Sequence, residues 1–226
     1  MFEEEPDPQR DATDDSLLAS PLDWGSYSAD EKLRAPKGAV FETRLEVSGL
    51  LRALGNERFQ EKDLEGALVA YRRAFWHVDF DLGYVQIEMS DEHMRDVFEA
   101  QAPCRLNAAR CLLKRGDISD AKHEAEAVLE LCKLCESLDP QWKRKALHLR
   151  AKAYVDSQRY DDAEKDINDA IAIDDTNDRS LTAVLKDIKQ HRHELKKQQK
   201  QIYGSKLADW SHTNEKEPRR TWCLLS

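Results

Sequence analysis

Glycine and proline are scarce, 8 and 7 among 226 residues. That excludes a chain built from many tight turns and points to long regular elements. Long apolar runs are missing as well: no stretch approaches the roughly 18 consecutive apolar residues of a membrane-spanning helix. Basic charge is not in excess, with 35 Lys and Arg against 44 Asp and Glu and a balance of −9. Nucleic-acid binding through a positive surface is therefore not expected. The opening residues, MFEEEPDPQRDATDD, carry neither the basic start nor the apolar stretch of a signal peptide. Phe2 stands where N-myristoylation needs glycine, so neither modification is expected. The five cysteines lack a disulfide-framework spacing and suit a reducing compartment, cytoplasmic or nuclear. No nucleophile–base–orienter set, phosphate loop or metal-ligand cluster can be recognised, so no enzyme, cofactor or metal is expected.

What is present is unevenly placed. Residues 1–35 hold ten Asp or Glu against three Lys or Arg, so −7 of the −9 sits there and only −2 on the rest. This segment is read as a disordered acidic tail, with Leu17, Leu18 and Trp24 as its apolar points. From about Val47 onward apolar residues take helical spacing: Leu51, Leu54, Phe59, Leu64, Ala67, Tyr71, Ala74 and Val78.

Three segments repeat one pattern. Gly55 is followed at offsets of 12, 16 and 19 by Ala67, Tyr71 and Ala74; Ala109 by Ala121, Ala125 and Val128; Ala151 by Ala163, Ile167 and Ala170. Small residues let two antiparallel helices approach closely, and larger ones such as Tyr71 and Tyr154 fill the space between layers. Turns fall where hairpins need them, at Glu61-Lys62-Asp63, Arg115-Gly116-Asp117 and Ser157-Gln158-Arg159. Between the first and second segments lies an insert, Leu82 to Gln101, with Ser90 or Asp91 as the N-cap of the following helix. Leu138-Asp139-Pro140 stops one helix and starts another. Leu181 to Leu207 reads as one long helix whose apolar stripe is Leu181, Leu185, Ile188, Leu195 and Ile202, with Gly204 as its end.

This pattern resembles the tetratricopeptide repeat, a helix–turn–helix unit of about 34 residues. The resemblance implies an all-α fold: three repeats in a right-handed superhelix, with a long C-terminal capping helix. The expected division is a tail over 1–35, a repeat domain over 36–177 (repeats at about 48–81, 102–135 and 144–177), a C-terminal helix over 178–208, and a flexible end over 209–226. The insert and the basic final helix ending QQKQIYGSKL also look like the repeat domain of large immunophilins. Those join it to a prolyl-isomerase domain, for which fewer than 50 residues before Ser48 leave no room, so isomerase activity is not carried over.

In the family the first helix of each repeat lines a concave groove that holds extended peptides. Arg52 and Asn56 in repeat one, Asn107 in repeat two, and Lys145 with His148 in repeat three are the residues expected there. They resemble the carboxylate clamp with which co-chaperones bind the acidic C-terminal tails of heat-shock proteins 90 and 70. The fifth place of that clamp, usually basic, is Leu149, and Arg150 stands one position off, about 100° round the helix. A peptide ending in Asp presents two carboxylates close together; cationic donors bind them, and Asn amides fix the peptide's direction. The expected function is a protein-interaction adaptor of co-chaperone type. The alternative is a scaffold that binds a protein partner without recognising a carboxylate.

Three further signals are weighed. Cys132-Lys133-Leu134-Cys135 is a CxxC without further ligands and reads as packed thiols. The basic face of the last helix (Lys186, Lys189, Arg192, Lys196, Lys197, Lys200, Lys206) reads as a solvated face, or as a target for calmodulin or an anionic membrane. The end, Cys223-Leu224-Leu225-Ser226, is the pattern prenyl transferases read, with Ser favouring farnesyl; the other reading is an incidental cysteine. A lipid on Cys223 would give only reversible membrane attachment.

Overall fold

The computed structural model describes residues 28–37, 40–173 and 179–214, and every regular element among them is a helix. The order is α1 (Ala29–Arg34), α2 (Phe41–Gln60), α3 (Leu64–Val78), α4 (Leu82–Ile87), α5 (Asp91–Arg115), α6 (Ile118–Leu134), α7 (Pro140–Asp156), α8 (Tyr160–Ile173) and α9 (Arg179–Asn214). Helices α2/α3, α5/α6 and α7/α8 form antiparallel hairpins. The first members, α2, α5 and α7, lie side by side and make one layer. The second members pack behind them, and α9 closes the array against α8.

The repeated small residues sit where steric logic puts them. Gly55, Ala67, Ala109, Ala121, Ala151 and Ala163 are all buried at hairpin interfaces. A Cβ on Gly55 would come within 2.5 Å of the Tyr71 ring, so only glycine admits that tyrosine here. Gly116 ends α5 at φ +94°, its N–H and that of Asp117 both donating to Leu112 at 2.9 Å. In the equivalent turns of the other repeats Lys62 (φ 69°) and Gln158 (φ 58°) take the left-handed conformation.

Four boundaries differ from the sequence expectation. First, α1 forms inside the stretch read as tail. Ser28 and Glu31 make a reciprocal capping box, and Leu33 and Ala35 pack on the cluster of Val47, Leu51, Ala74 and Cys104. Residues 1–27 lie outside the described residues. Second, α2 begins at Phe41, well before Ser48, and its N-cap Val40 offers no side-chain signal. Third, the insert opens with a short helix of its own, α4, capped by Asp81; the helix after it starts where expected, its N-cap Ser90 hydroxyl accepting from His93 N at 3.2 Å. Fourth, α9 runs through Gly204 to Asn214, past the expected end and into the stretch read as flexible. A glycine inside a helix costs about 1 kcal/mol relative to alanine and is no stop signal without a left-handed turn; Gly204 has no positive φ.

A cationic clasp fixes the chain entering α2. Lys37 Nζ donates to the Asp79 carbonyl at 2.8 Å, and Arg44 donates to the His77 carbonyl at 2.7 Å and to that of Asp79 at 3.1 Å. These carbonyls are the unsatisfied end of α3, where positive charge is favoured. Arg73 donates to the Ala35 carbonyl at 2.6 Å. Beneath them His77 is fully buried, and burial together with Arg73, Arg44 and Lys37 pushes its pKa down to about 4.

At the other end, Leu181, Val184, Leu185 and Ile188 of α9 join the core of the third repeat. Part of its basic face is used within the chain: Arg192 pairs with Asp161 at 2.9 Å and with Glu164, and Lys189 reaches Glu164 at 3.5 Å. Beyond Leu195, residues 196–204 are exposed. Among the described residues no helix is long and apolar enough to cross a membrane.

Candidate functional site on the inner helices

The layer of α2, α5 and α7 carries the residues expected at the groove. On α2, Gly55 admits the Tyr71 ring against the helix, and this brings the Tyr71 hydroxyl to Asn56, where it donates to Oδ1 at 2.9 Å. Asn107 of α5 donates to the same oxygen from Nδ2 at 3.2 Å. With its carbonyl oxygen holding two donors, the Asn56 amide has its N–H groups left to donate elsewhere. A pocket of about 290 Å³ opens over this pair, lined by Asn56, Phe59, Gln60, Tyr71, Asn107 and Arg110.

Burial, with the Cys111 thiol beside it, pushes the Tyr71 hydroxyl up to about 12, against the opposing fields of Arg110 and Arg52. The phenol therefore stays protonated and keeps donating to Asn56 throughout the ordinary pH range. Arg52, half-buried one turn before Asn56, lies within electrostatic reach of the phenol. The structure thus brings Asn56 and Asn107 together, with Arg52 beside them.

The third repeat is arranged otherwise. Lys145 is exposed on α7, its Nζ donating to Gln141 Oε1 at 2.8 Å and lying 4.3 Å from the centre of the Trp142 ring. His148 is half-buried one turn on. Leu149 is buried in the core cluster. Arg150 turns away from the inner layer and makes two 2.7 Å bonds to Asp166 of α8, whose side chain is almost wholly buried. Cys223 lies outside the described residues.

Four residues lining the pocket were not expected at the groove from the sequence: Tyr71, Phe59, Gln60 and Arg110. Arg110 follows Asn107 by one turn of α5, so helical spacing alone could have marked it as a neighbour. The CxxC residues are packed thiols: Cys135 is buried, and burial pushes the Cys132 thiol up to about 11. Both sit in the cluster around Val97, Phe98 and Leu131.

No protein-family model matches the chain. Among curated proteins, peptidyl-prolyl cis-trans isomerase D of Cryptococcus neoformans is 26% identical over 186 residues, covering 80% of this chain. The chain spans about half the length of the curated relatives it matches, 47%. Among solved structures, the C-terminal TPR-containing domain of a Plasmodium falciparum FK506-binding protein aligns over 76% of this chain and 98% of that one, at 20% identity and a TM-score of 0.53. The first TPR of Spaghetti, solved with an HSP90 peptide, covers 64% of this chain and 91% of that one at 16% identity and a TM-score of 0.47. The hairpin order, the small-residue interfaces and the Plasmodium likeness define the class: the fold is the tetratricopeptide-repeat superhelix. Within that class the chain is similar to the repeat-containing part of immunophilin-type proteins.

Proposed function

We propose that this chain is a protein-interaction adaptor of co-chaperone type, whose inner face takes the free C-terminal end of an acidic peptide. The tails of heat-shock proteins 90 and 70 are the kind of ligand meant. The observation that carries the reading is the Asn56 amide, whose oxygen is held by Tyr71 and Asn107, leaving its N–H groups as donors one turn from Arg52. Amide donors next to a cation suit a carboxylate, and each charge-assisted bond contributes roughly 1.5–3 kcal/mol. Lys145 and His148 on α7, expected in the clamp from the sequence, would stand further along the groove, outside the grip on the terminal carboxylates. Farnesylation of Cys223 would hold such an adaptor loosely at a membrane. A mass increase of one farnesyl group in cells, absent in Cys223→Ser, supports the tether; an unmodified Cys223 removes it.

The test of the groove is calorimetric titration with a pentapeptide ending Glu-Glu-Val-Asp, as free acid and as C-terminal amide. A carboxylate site binds the free acid at least about tenfold more tightly, a difference of roughly 1.4 kcal/mol. Equal affinities, or no binding, would favour the scaffold reading.

A further inference from the structure

We propose that Arg110 supplies the second cation of this carboxylate site, in place of the basic residue that the third repeat lacks. The assignment rests on the peptide-end reading above. A terminal Asp carries two carboxylates, and Arg52 with the Asn56 and Asn107 amides offers only one cation to the pair. The third repeat is poorly placed to offer the other. Leu149 is buried, Arg150 is committed to Asp166, and Lys145 is drawn onto Gln141 and Trp142 of its own helix.

Helix α5 does have a cation to spare. It carries four arginines, and three of them face carboxylates: Arg95 meets Asp96 at 3.9 Å, Arg105 meets Glu124 at 2.8 Å, and Arg115 meets Glu65 at 2.7 Å. Arg110, among the described residues, meets none; its guanidinium rests 5.2 Å from the centre of the Phe59 ring. Lys114, one turn on, stands 4.4 Å from the same ring. Cation–ring contact at an exposed site is weak, so it aims these side chains toward α2 and yields when a carboxylate arrives. The pocket that Arg110 shares with both asparagines contains no acidic residue, so its charge is not neutralised there. Arg110 also acts on the Tyr71 hydroxyl more strongly than Arg52 does, which places its charge near the amide pair. The ligand class that follows is a peptide ending in an acidic residue, gripped between α2 and α5 and not between α2 and α7.

The experiment uses the full chain and the same pentapeptide, as free acid and amide, with Arg110→Ala, Arg110→Lys and Lys145→Ala. Arg110 is exposed, and far-UV circular dichroism melts confirm that the variants fold. The assignment expects Arg110→Ala to lose at least about tenfold in affinity for the free acid, and Arg110→Lys and Lys145→Ala to lose less than about threefold. If the parent chain distinguishes acid from amide but Arg110→Ala loses no more than Lys145→Ala, the assignment is overturned and the peptide-end reading stands. A parent chain that does not distinguish acid from amide overturns both.

Discussion

In the first two repeats Asn56 and Asn107 of the inner helices meet at a shared pocket; in the third, Arg150 turns into the fold and Lys145 lies along its own helix. Asn56 and Asn107 share a hydrogen bond across α2 and α5, with Arg52 and Arg110 near the same phenol. On α7 the corresponding stretch buries Leu149 and sends Arg150 to Asp166 of α8. The two regions have the same backbone plan, so the difference lies in what one residue step does on a helix. Neighbouring positions on a helix point about 100° apart; here Leu149 goes into the core, and Arg150, one step on, goes to the hairpin interface with α8. A repeat can thus keep its architecture and commit its arginine to holding its own two helices together.

The largest effect expected from breaking this contrast is at Asp166. Asp166→Ala leaves the Arg150 guanidinium partly buried and unpaired, and should lower stability by about 3 kcal/mol by denaturant unfolding. Peptide affinity below the transition should change less than twofold. A tenfold loss of affinity in the still-folded protein would show that the third repeat serves the site directly.

A second, smaller effect is set by pH in the first repeat. His77 has its pKa lowered to about 4 in the fold, from an ordinary value near 6.5. Between those values the unfolded chain binds more protons, so stability falls as pH drops through that window. Integrating from pH 7 to pH 5 gives about 2 kcal/mol lost to this group. In His77→Leu that part of the pH dependence should vanish, which paired urea titrations at pH 7 and pH 5 would detect. An unchanged slope would mean that His77 already has its ordinary pKa in the fold.

The smallest effect sharpens the comparison at the pocket itself. Tyr71→Phe keeps the ring against Gly55 and deletes only the donor to Asn56. It should cost about 1 kcal/mol of stability and several-fold in affinity for the free-acid peptide. The affinity should fall because the Asn56 amide is then free to turn over. No change in affinity would mean that Asn107 alone fixes that amide.

The parts of this picture legible in the sequence are those governed by local sterics. Offsets of 12, 16 and 19 from Gly55, Ala109 and Ala151 mark helix hairpins because only small residues let the helices close. Ser90 declares itself as an N-cap, and Leu138-Asp139-Pro140 as a break between two helices. The turn chemistry of Gly116 is equally local. Helix α1 was hidden by its setting, since a Ser28–Glu31 capping box inside an acidic segment looks like any polar stretch. The end of α9 was misjudged because a glycine weakens a helix without stopping it.

The site itself was only half visible. Asn56 and Asn107 are 51 residues apart, and only the repeat register suggested that they meet. The Tyr71 hydroxyl looked like core volume, and its role as a donor depends on how closely Gly55 lets the ring approach. The only sequence signal for Arg110 is its spacing of one helical turn from Asn107. A surface arginine becomes distinctive only when its sister arginines on the same helix are seen to be paired and it is not.

The most direct test of the inner-face claim is the side-chain amide region of a ¹⁵N spectrum, recorded while the free-acid pentapeptide is added. The Asn56 and Asn107 amide pairs should shift together, saturating with the affinity measured by calorimetry, and should stay put when the amidated peptide replaces it. Shifts confined to residues of α3, α6 or α8, with both asparagines silent, would contradict the account.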